Sequence, residues 1–264
     1  MAEAALARFH GAPPRYLTSA LLERERLPHL FSTRHFPGDR APANPAAPFA
    51  TEPAATLAAE AGLDGREAAF LKQVHGAEVI RARQGGRAGT GDVLTTDQPG
   101  LPLTIFTADC LPVVVYDPRE LRLAVAHAGW RGTVQSVARS AVLALVEAGS
   151  RADRLVAAIG PSIGPCCYEV DRPVIDRLAA SFPERWEAWV TAKGTDAGGS
   201  ERWMLDLWAA NEDQLAAADV DRSMIDNPRL CTACNLDRFY SYRREGSTRL
   251  GRLGRLVALA ALPA

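Results

Sequence analysis

The stretch TADCLPVVVYDPRELRLAVAHAGWRGT, residues 107–133, contains two apolar runs with reactive side chains at their ends. Residues 113–116 and 123–127 are each typical of a β-strand, and the Asp117-Pro118 turn between them predicts a hairpin. Cys110 falls in the short link before the first of these strands, and His127 ends the second. Because strand ends beside turns and small residues let polar groups converge, we expect a site there.

A third candidate for this site is His75, in LKQVHG upstream. Alternation along residues 69–75 predicts a strand with Leu71, Gln73 and His75 on one face. Two imidazoles and a thiolate form a ligand set that suits zinc. Three protein ligands would leave one position for water or substrate, as in a catalytic zinc site. Asp109 beside Cys110 is a candidate for holding a ligand imidazole in one tautomer.

The same residues also suit a different mechanism. A thiolate beside an imidazole is the usual arrangement of an activated nucleophile, so Cys110 and His127 could act without a metal. Arg131, after the His127 turn, is either an anion-binding guanidinium or a solvated helix-start arginine. The residues alone leave these alternatives open.

Composition describes an ordinary globular chain of 264 residues, 47% hydrophobic and 23% charged, with a net charge of −1. This balance argues against a nucleic-acid binder or a basic membrane anchor. No apolar run approaches the roughly 20 residues that span a bilayer, and the N-terminus lacks a secretory pattern. Five scattered cysteines favour reduced thiols, hence a cytoplasmic location. With no coiled-coil pattern or long exposed apolar stretch, we expect a monomer.

Four cysteines lie outside the predicted site. Cys231 and Cys234 form a CxxC, but no second CxxC or histidine pair accompanies it, which favours bystander thiols over a structural zinc site. Cys166 and Cys167 are adjacent, and consecutive thiols rarely point into one tetrahedral site. The sequence assigns no role to either pair.

Several further elements follow from local patterns. The glycine-rich residues 85–91 predict a flexible hairpin loop, and the proline-rich residues 37–53 predict a second loop. Apolar spacing predicts a helix that starts near Thr133, and residues 238–242 are typical of a strand. Without repeats or a clean linker, one mixed α+β domain is favoured.

A set of motifs in fixed order resembles a known family. They are KQVHG (72–76), GDVLTTDQPG (91–100), TADCLPVVVYD (107–117), AHAGWRGT (126–133), IGPSIGPCCYEV (159–170) and FYSYRRE (239–245). Together they resemble the YfiH or laccase-domain family, also described as multicopper polyphenol oxidases and as purine nucleoside phosphorylases. The likeness extends from about Phe31 to Arg252, nearly the whole chain.

The resemblance implies a single-domain, four-layer α/β/β/α sandwich with mixed sheets, similar to the catalytic domain of the cytotoxic necrotising factors. On this basis residues 1–28 form a variable N-terminal segment and residues 29–264 one catalytic domain. It also implies a zinc site with His75, Cys110 and His127 as ligands. Asp109 joins Cys110 and His127 as a candidate catalytic residue.

The implied activity is phosphorolysis of adenosine, inosine, guanosine and methylthioadenosine, together with adenosine deamination. Phosphate is then a co-substrate, and the candidate substrate-binding residues are Arg34, Gln73 and Arg131. Some bacterial members of the family are instead described as peptidoglycan-precursor editing factors, which remove a wrong amino acid from a nucleotide-linked muramic acid. That amidase reaction would use Cys110 as its nucleophile.

Histidine content bears on the oxidase label. A multicopper oxidase needs a blue site of two His and one Cys, plus further copper centres built mainly from imidazoles. The chain has five histidines, and His10 and His29 lie outside the motifs. Copper is therefore disfavoured relative to zinc.

Overall fold

The described part of the chain comprises residues 7–36, 55, 58–246 and 254–264 of this computed structural model. It contains sixteen strands and six α-helices with described bounds, and residues 58–60 are also helical. The strands are β1 (Ala7–His10), β2 (Tyr16–Ser19), β3 (His29–Ser32), β4 (Ala69–Lys72), β5 (Val79–Arg81), β6 (Gly86–Thr90), β7 (Val93–Thr96), β8 (Leu103–Thr107), β9 (Leu111–Asp117), β10 (Arg122–Ala128), β11 (Val156–Ile159), β12 (Glu169–Val170), β13 (Val190–Thr195), β14 (Glu201–Leu205), β15 (Ile225–Asp226) and β16 (Leu256–Ala260). The helices are α1 (Ala20–Arg24), α2 (Trp130–Val134), α3 (Val137–Glu147), α4 (Arg172–Ser181), α5 (Leu207–Ala216) and α6 (Tyr242–Glu245).

Two large mixed sheets face each other. The first has the strand order β1-β2-β3-β16-β8-β4-β6, and the second has the order β15-β11-β9-β10-β7-β5. A small antiparallel sheet, β12-β14-β13, lies apart from both. One apolar core is shared by the two large sheets, with Phe31 and Ile105 from the first and Val114 and Val125 from the second.

Two outer layers complete the sandwich. Beyond the second sheet, α3, α4 and α5 contribute to a core that includes Ala141, Leu178 and Leu215. Beyond the first sheet, Ala58 and Leu63 pack against Leu30 and Leu259. The predicted single-domain, four-layer fold with mixed sheets is therefore confirmed.

The β9–β10 hairpin lies at the centre of the second sheet, and its composition explains why. Both faces of β9 are buried, with Val113 and Val115 toward the helices and Val114 toward the first sheet. A strand covered on both faces needs a continuous apolar run rather than alternation. On β10 the helix side carries small residues such as Ala124 and Ala126, which let α3 approach closely.

Three local predictions are wrong. The glycine-rich 85–91 segment forms β6, an edge strand paired in parallel with β4, because pairing partners from elsewhere in the chain override weak strand propensity. The strand predicted at residues 238–242 does not form. Residues 242–245 are instead the short helix α6, and the Ser241 hydroxyl caps its N-terminus by accepting a hydrogen bond from the Arg244 amide. The helix predicted from Thr133 is two helices, α2 and α3, separated at Ser136, whose φ is +60°.

The N-terminal residues belong to the first sheet. β1 pairs with β2, and β2 pairs with β3, so residues 7–19 extend the edge of that sheet. The boundary between residues 28 and 29 stays a prediction. The predicted loop at residues 37–53 lies outside the described residues. Within the described ranges, no helix has both the length and the apolarity required to cross a bilayer.

Candidate active site and metal centre

The β9–β10 hairpin brings Cys110 and His127 together. The two strands are antiparallel, and Pro112 pairs with His127 while Leu111 pairs with Ala128. Cys110, just before β9, therefore lies beside the C-terminal end of β10. Period-two alternation puts His127 on the same side as Val125, which faces the first sheet. The imidazole and the thiol consequently meet between the two sheets.

His75 completes the cluster from the first sheet. It follows β4 and adopts a φ of +61°, which turns its side chain out of the strand direction. The ligand atoms of His75, Cys110 and His127 all lie within 4.8 Å of one another. The two imidazole rings meet edge to face, with centroids 4.8 Å apart. The strand predicted through His75 thus ends earlier, at Lys72.

Asp92 organises both histidines, and the sequence analysis does not predict this role. Its Oδ1 accepts a hydrogen bond from His127 Nδ1 at 2.8 Å. The same carboxylate accepts the backbone amides of Val74, His75 and Gly76, at 3.1, 3.0 and 2.7 Å. A wholly buried carboxylate thereby fixes one imidazole through its ring and the other through its backbone. The available signal was its place directly before β7 in the GDVLTT motif.

Asp109 does not hold an imidazole, so that interpretation is wrong. Its carboxylate accepts from the Thr232 hydroxyl and from the Arg243 amide, each at 2.6 Å. Its own backbone is left-handed, with a φ of +88°. These bonds stabilise the turn that precedes Cys110, and Asp109 accordingly positions the thiol through the backbone.

Charge separation at the site follows from its hydrogen bonds. Burial opposes ionisation of Cys110, but hydrogen bonds from His127 and His75 lower its pKa to about 6. Burial likewise disfavours the charged form of His127, yet its bonds to Asp92 and Cys110 raise its pKa to about 9. The carboxyl of Asp92 is buried, but His127 and the backbone amides hold its pKa below the ordinary value. Without a metal, the site is a thiolate–imidazolium pair near neutral pH.

The cluster opens into a cavity of about 550 Å³, a size that suits a small ligand. The residues that line it come from both large sheets and from the segments that flank them: Gln73, His75, Phe106, Thr107, Ala108, Cys110, His127, Arg131, Tyr242 and Arg255. Two guanidinium groups therefore face the same space as the thiol and the imidazoles.

The predicted substrate-binding residues fall into different places. Arg131 lines the cavity with its guanidinium 4.6 Å from the centroid of the Trp130 ring. Gln73 also lines it, but its amide is hydrogen-bonded at both ends to the backbone of Phe106, each at 2.8 Å. Arg255 lines it as well and was not predicted. Among the described residues neither Arg131 nor Arg255 pairs with a carboxylate.

Arg34 lies away from this cavity. Its guanidinium donates to the backbone oxygen of Leu236 and to Glu245 Oε1, the latter at 3.1 Å, and stacks over Tyr240. These contacts anchor α6 rather than face the cavity.

Gly129 is needed for the close approach of the ligand groups. A Cβ at this position would lie 2.9 Å from Cys110 Sγ and 3.1 Å from His75 Cδ2. Any side chain larger than hydrogen would displace one of the two. This packing explains the glycine in the AHAGWRGT motif.

The other three histidines, all within the described residues, lie elsewhere. His10 stacks on Tyr16, and His35 bonds to the backbone oxygen of Asp237. His29 is buried, with its ring hydrogen-bonded to the Ser19 amide and to the Leu27 carbonyl, and burial lowers its pKa to about 4. The described histidines thus supply one site with two imidazoles.

The donor set of the cavity fits a zinc ion. His75, Cys110 and His127 would be its ligands, and Asp92 would orient His127 so that Nε2 faces the ion. When bound, zinc would supply Lewis-acid polarisation of a substrate or water oxygen.

A second group of potential metal ligands lies apart from the cavity lining. Cys166, Cys167, Cys231 and Cys234 have sulfur atoms within 4.8 Å of one another. The two pairs are far apart along the chain, so their spacing in the sequence does not indicate that they form one group.

Known proteins can be compared with this geometry. Residues 50–262 match the sequence model of a family described as multi-copper polyphenol oxidoreductase laccase. A purine nucleoside phosphorylase of Deinococcus radiodurans is 37% identical over 209 residues, covering 79% of this chain and 76% of the relative. Adenosine deaminase RL5, from an unknown prokaryotic organism, is 32% identical over 202 residues, covering 72% and 75%.

A solved structure shows the same relationship at the level of the fold. The protein YfiH of Bacillus licheniformis superimposes with a TM-score of 0.80 at 28% identity, covering 96% of this chain and 98% of that one. The likeness therefore extends over nearly the whole of both chains. By its sequence, its fold and its motifs, the chain belongs to the laccase-like YfiH family.

Proposed function

We propose that this chain is a zinc-dependent purine nucleoside phosphorylase that acts on adenosine, inosine, guanosine and methylthioadenosine. The observation that carries the proposal is a single cavity that combines a zinc-type ligand set with two guanidinium groups, neither of which pairs with a carboxylate among the described residues. The names of relatives, purine nucleoside phosphorylase among them, support the same reaction class.

Phosphorolysis replaces the bond between the ribose C1′ and the purine nitrogen with a bond from C1′ to a phosphate oxygen. Such a reaction needs an anion site beside the nucleoside. Arg131 and Arg255 supply planar, permanently charged donors suited to phosphate. Phe106 and Tyr242 line the same cavity and offer aromatic faces to a purine ring.

Adenosine deamination is the second activity in this proposal. It needs water delivered to C6 of the purine ring, and a site of two histidines and a cysteine resembles the ligand chemistry of zinc deaminases. One relative carries the name adenosine deaminase. Copper oxidation is disfavoured, since copper clusters need more imidazoles than this cavity contains.

The test is the Cys110→Ala variant, assayed with adenosine and inosine in the presence and absence of phosphate. Removing the thiolate deletes one ligand, so zinc content and turnover should fall together. The control is Asp97→Asn, a surface carboxylate outside the cavity lining, which should keep both its zinc and phosphorolysis. Full activity in a metal-free Cys110→Ala protein would refute the proposal.

An amidase is the second candidate, in which Cys110 attacks the amide of a nucleotide-linked muramic acid precursor. It is favoured by the lowered pKa of Cys110, about 6, beside an imidazole that can return a proton to the leaving amine. Chelator treatment separates the two candidates. Phosphorolysis should be lost with the metal, whereas cleavage of a serine-bearing precursor by a metal-free thiolate should persist.

For cellular context, we propose a cytoplasmic monomer that binds small nucleosides and neither nucleic acid nor membrane. The support is a net charge of −1 and five cysteines, none of them in a disulfide. Gel filtration with light scattering on the purified chain tests the monomer.

A further inference from the structure

We propose that Cys166, Cys167, Cys231 and Cys234 form a tetrathiolate site for a structural zinc ion, separate from the cavity. Of the five cysteines, four converge here and the fifth is Cys110. Zinc bound by four thiolates has sulfur atoms about 2.3 Å from the metal, which places them about 3.8 Å from each other. Cys234 Sγ lies 3.5 Å from Cys166 Sγ and 3.4 Å from Cys167 Sγ, close to that spacing.

The turn at residues 164–168 explains how adjacent cysteines share one site. The amides of Cys167 and Tyr168 both donate to the Gly164 carbonyl at 3.0 Å, which curls the chain tightly. In this turn both thiols approach the same sulfur, that of Cys234. The expectation that consecutive thiols diverge is therefore wrong here.

Backbone pairing brings the CxxC loop to this turn. Ser162 and Cys231 form a parallel bridge, in which the Ser162 amide donates to Leu230 and the Thr232 amide donates to Ser162. The Gly164 amide donates to Cys231 Sγ at 3.3 Å, the kind of contact that stabilises a ligating thiolate. The loops are thus fixed by bonds that do not involve the other three thiols.

Charge at the site also suits a bound dication. Four thiolates around zinc carry a net charge of about −2. Arg244 Nη2 lies 3.6 Å from Cys167 Sγ and offsets part of it. Cys231 is buried and Cys166 and Cys234 are exposed, so an ion can enter from solvent.

The ion would hold together two loops that both contact the turn before Cys110. The Ile163 amide donates to the Asp109 carbonyl at 2.9 Å, and the Thr232 hydroxyl donates to the Asp109 carboxylate at 2.6 Å. Its role is to stabilise the turn that positions the Cys110 thiol.

The experiment measures metal in the full chain lacking the cavity thiol, Cys110→Ser, so that the result is independent of the proposed activity. Stripped protein is titrated with Co²⁺ and followed by thiolate-to-cobalt charge-transfer absorption. We expect one Co²⁺ per chain with the intensity of four thiolates, and a higher thermal unfolding midpoint with the ion bound.

The double variants Cys110→Ser/Cys234→Ser and Cys110→Ser/Cys166→Ser are the matched comparisons. Each should lose the tetrathiolate spectrum and the metal-dependent rise in the unfolding midpoint. Two results would overturn the proposal: no thiolate charge transfer in folded Cys110→Ser protein, or metal stoichiometry and spectrum unchanged by either second substitution.

Discussion

Asp92 connects the two histidines of the cavity through its hydrogen bonds. Its carboxylate accepts a hydrogen bond from the ring of His127 and three more from the backbone amides of the turn that contains His75. A partner that orients a ligand imidazole typically contributes 10- to 100-fold in metal affinity or activity. The two histidines therefore share one source of orientation.

Replacing this carboxylate with an amide tests that role. Asp92→Asn should reduce the zinc affinity of the cavity site by about 10- to 100-fold, because the charge that orients His127 is lost. Competition with a chromophoric chelator measures the affinity. Asp97→Asn, which changes a surface carboxylate bound to Arg81 and Gln98, is the control and should bind zinc normally. Equal affinities in the two variants would contradict this role for Asp92.

The pKa of Cys110 predicts how its reactivity depends on pH. In metal-stripped protein, alkylation of Cys110 should rise as pH increases through about 6, rather than near the value of about 8.5 for an ordinary thiol. Peptide mapping by mass spectrometry isolates this cysteine from the other four. The His127→Ala variant should move the midpoint upward, since the main stabilising hydrogen bond is lost. A midpoint above pH 8 in the unsubstituted protein would contradict the prediction.

The same shifts predict the pH dependence of stability. The pKa of Cys110 is lower in the folded protein than in the unfolded chain. Its thiolate therefore stabilises the fold at pH values above the unfolded-chain pKa, and this contribution is lost as pH falls through about 6. The pKa of His127 is higher in the folded protein than in the unfolded chain. Its imidazolium therefore stabilises the fold at pH values below the unfolded-chain pKa, and this contribution is lost as pH rises through about 9. The stripped protein should thus be destabilised on both sides of that interval.

At the scale of elements, the segment after β10 departs most from its apolar pattern. Spacing from Val134 to Leu145 predicts one helix, but the chain breaks between α2 and α3. At the break Ser136 is left-handed, and its side chain makes no capping bond. The break allows α2 to follow the Gly129 turn while α3 packs on β10.

Ser136→Gly should therefore stabilise the protein by about 0.5–1 kcal/mol, because glycine adopts a positive φ without the clash of a Cβ. Denaturant unfolding followed by tryptophan fluorescence measures the change. The control Ser140→Gly, inside α3, should instead destabilise by about 0.5 kcal/mol. Destabilisation by both substitutions would show that the left-handed residue is not strained.

At the scale of the whole molecule, the cavity depends on how closely the two large sheets approach. Gly160, directly after β11, lies between a side chain of the first sheet and one of the second. A Cβ there would come within 2.4 Å of Phe31 Cδ1, in the first sheet, and 2.8 Å of Pro112 Cγ, in the second. The absence of a side chain is a condition of the packing.

Gly160→Ala should destabilise the protein by about 1–3 kcal/mol through overpacking. Chemical denaturation of the variant provides the measurement. Gly198→Ala, in an exposed turn with its nearest contact at 3.4 Å, is the matched control and should change stability little. A loss in Gly160→Ala no greater than in the control would mean that the sheets can separate without cost.

Sequence alone determined the local features: the hairpin formed by the strands around residues 113–116 and 123–127, and the grouping of His75, Cys110 and His127 as candidate metal ligands. These follow from apolar runs, turn residues and ligand chemistry, all of which are readable over short spans. Only the tertiary structure decided that Asp92 orients the histidines, that Arg255 enters the cavity and that four cysteines converge. Those contacts join residues that are distant along the chain, and their geometry is set by how sheets and loops pack, which local patterns do not encode.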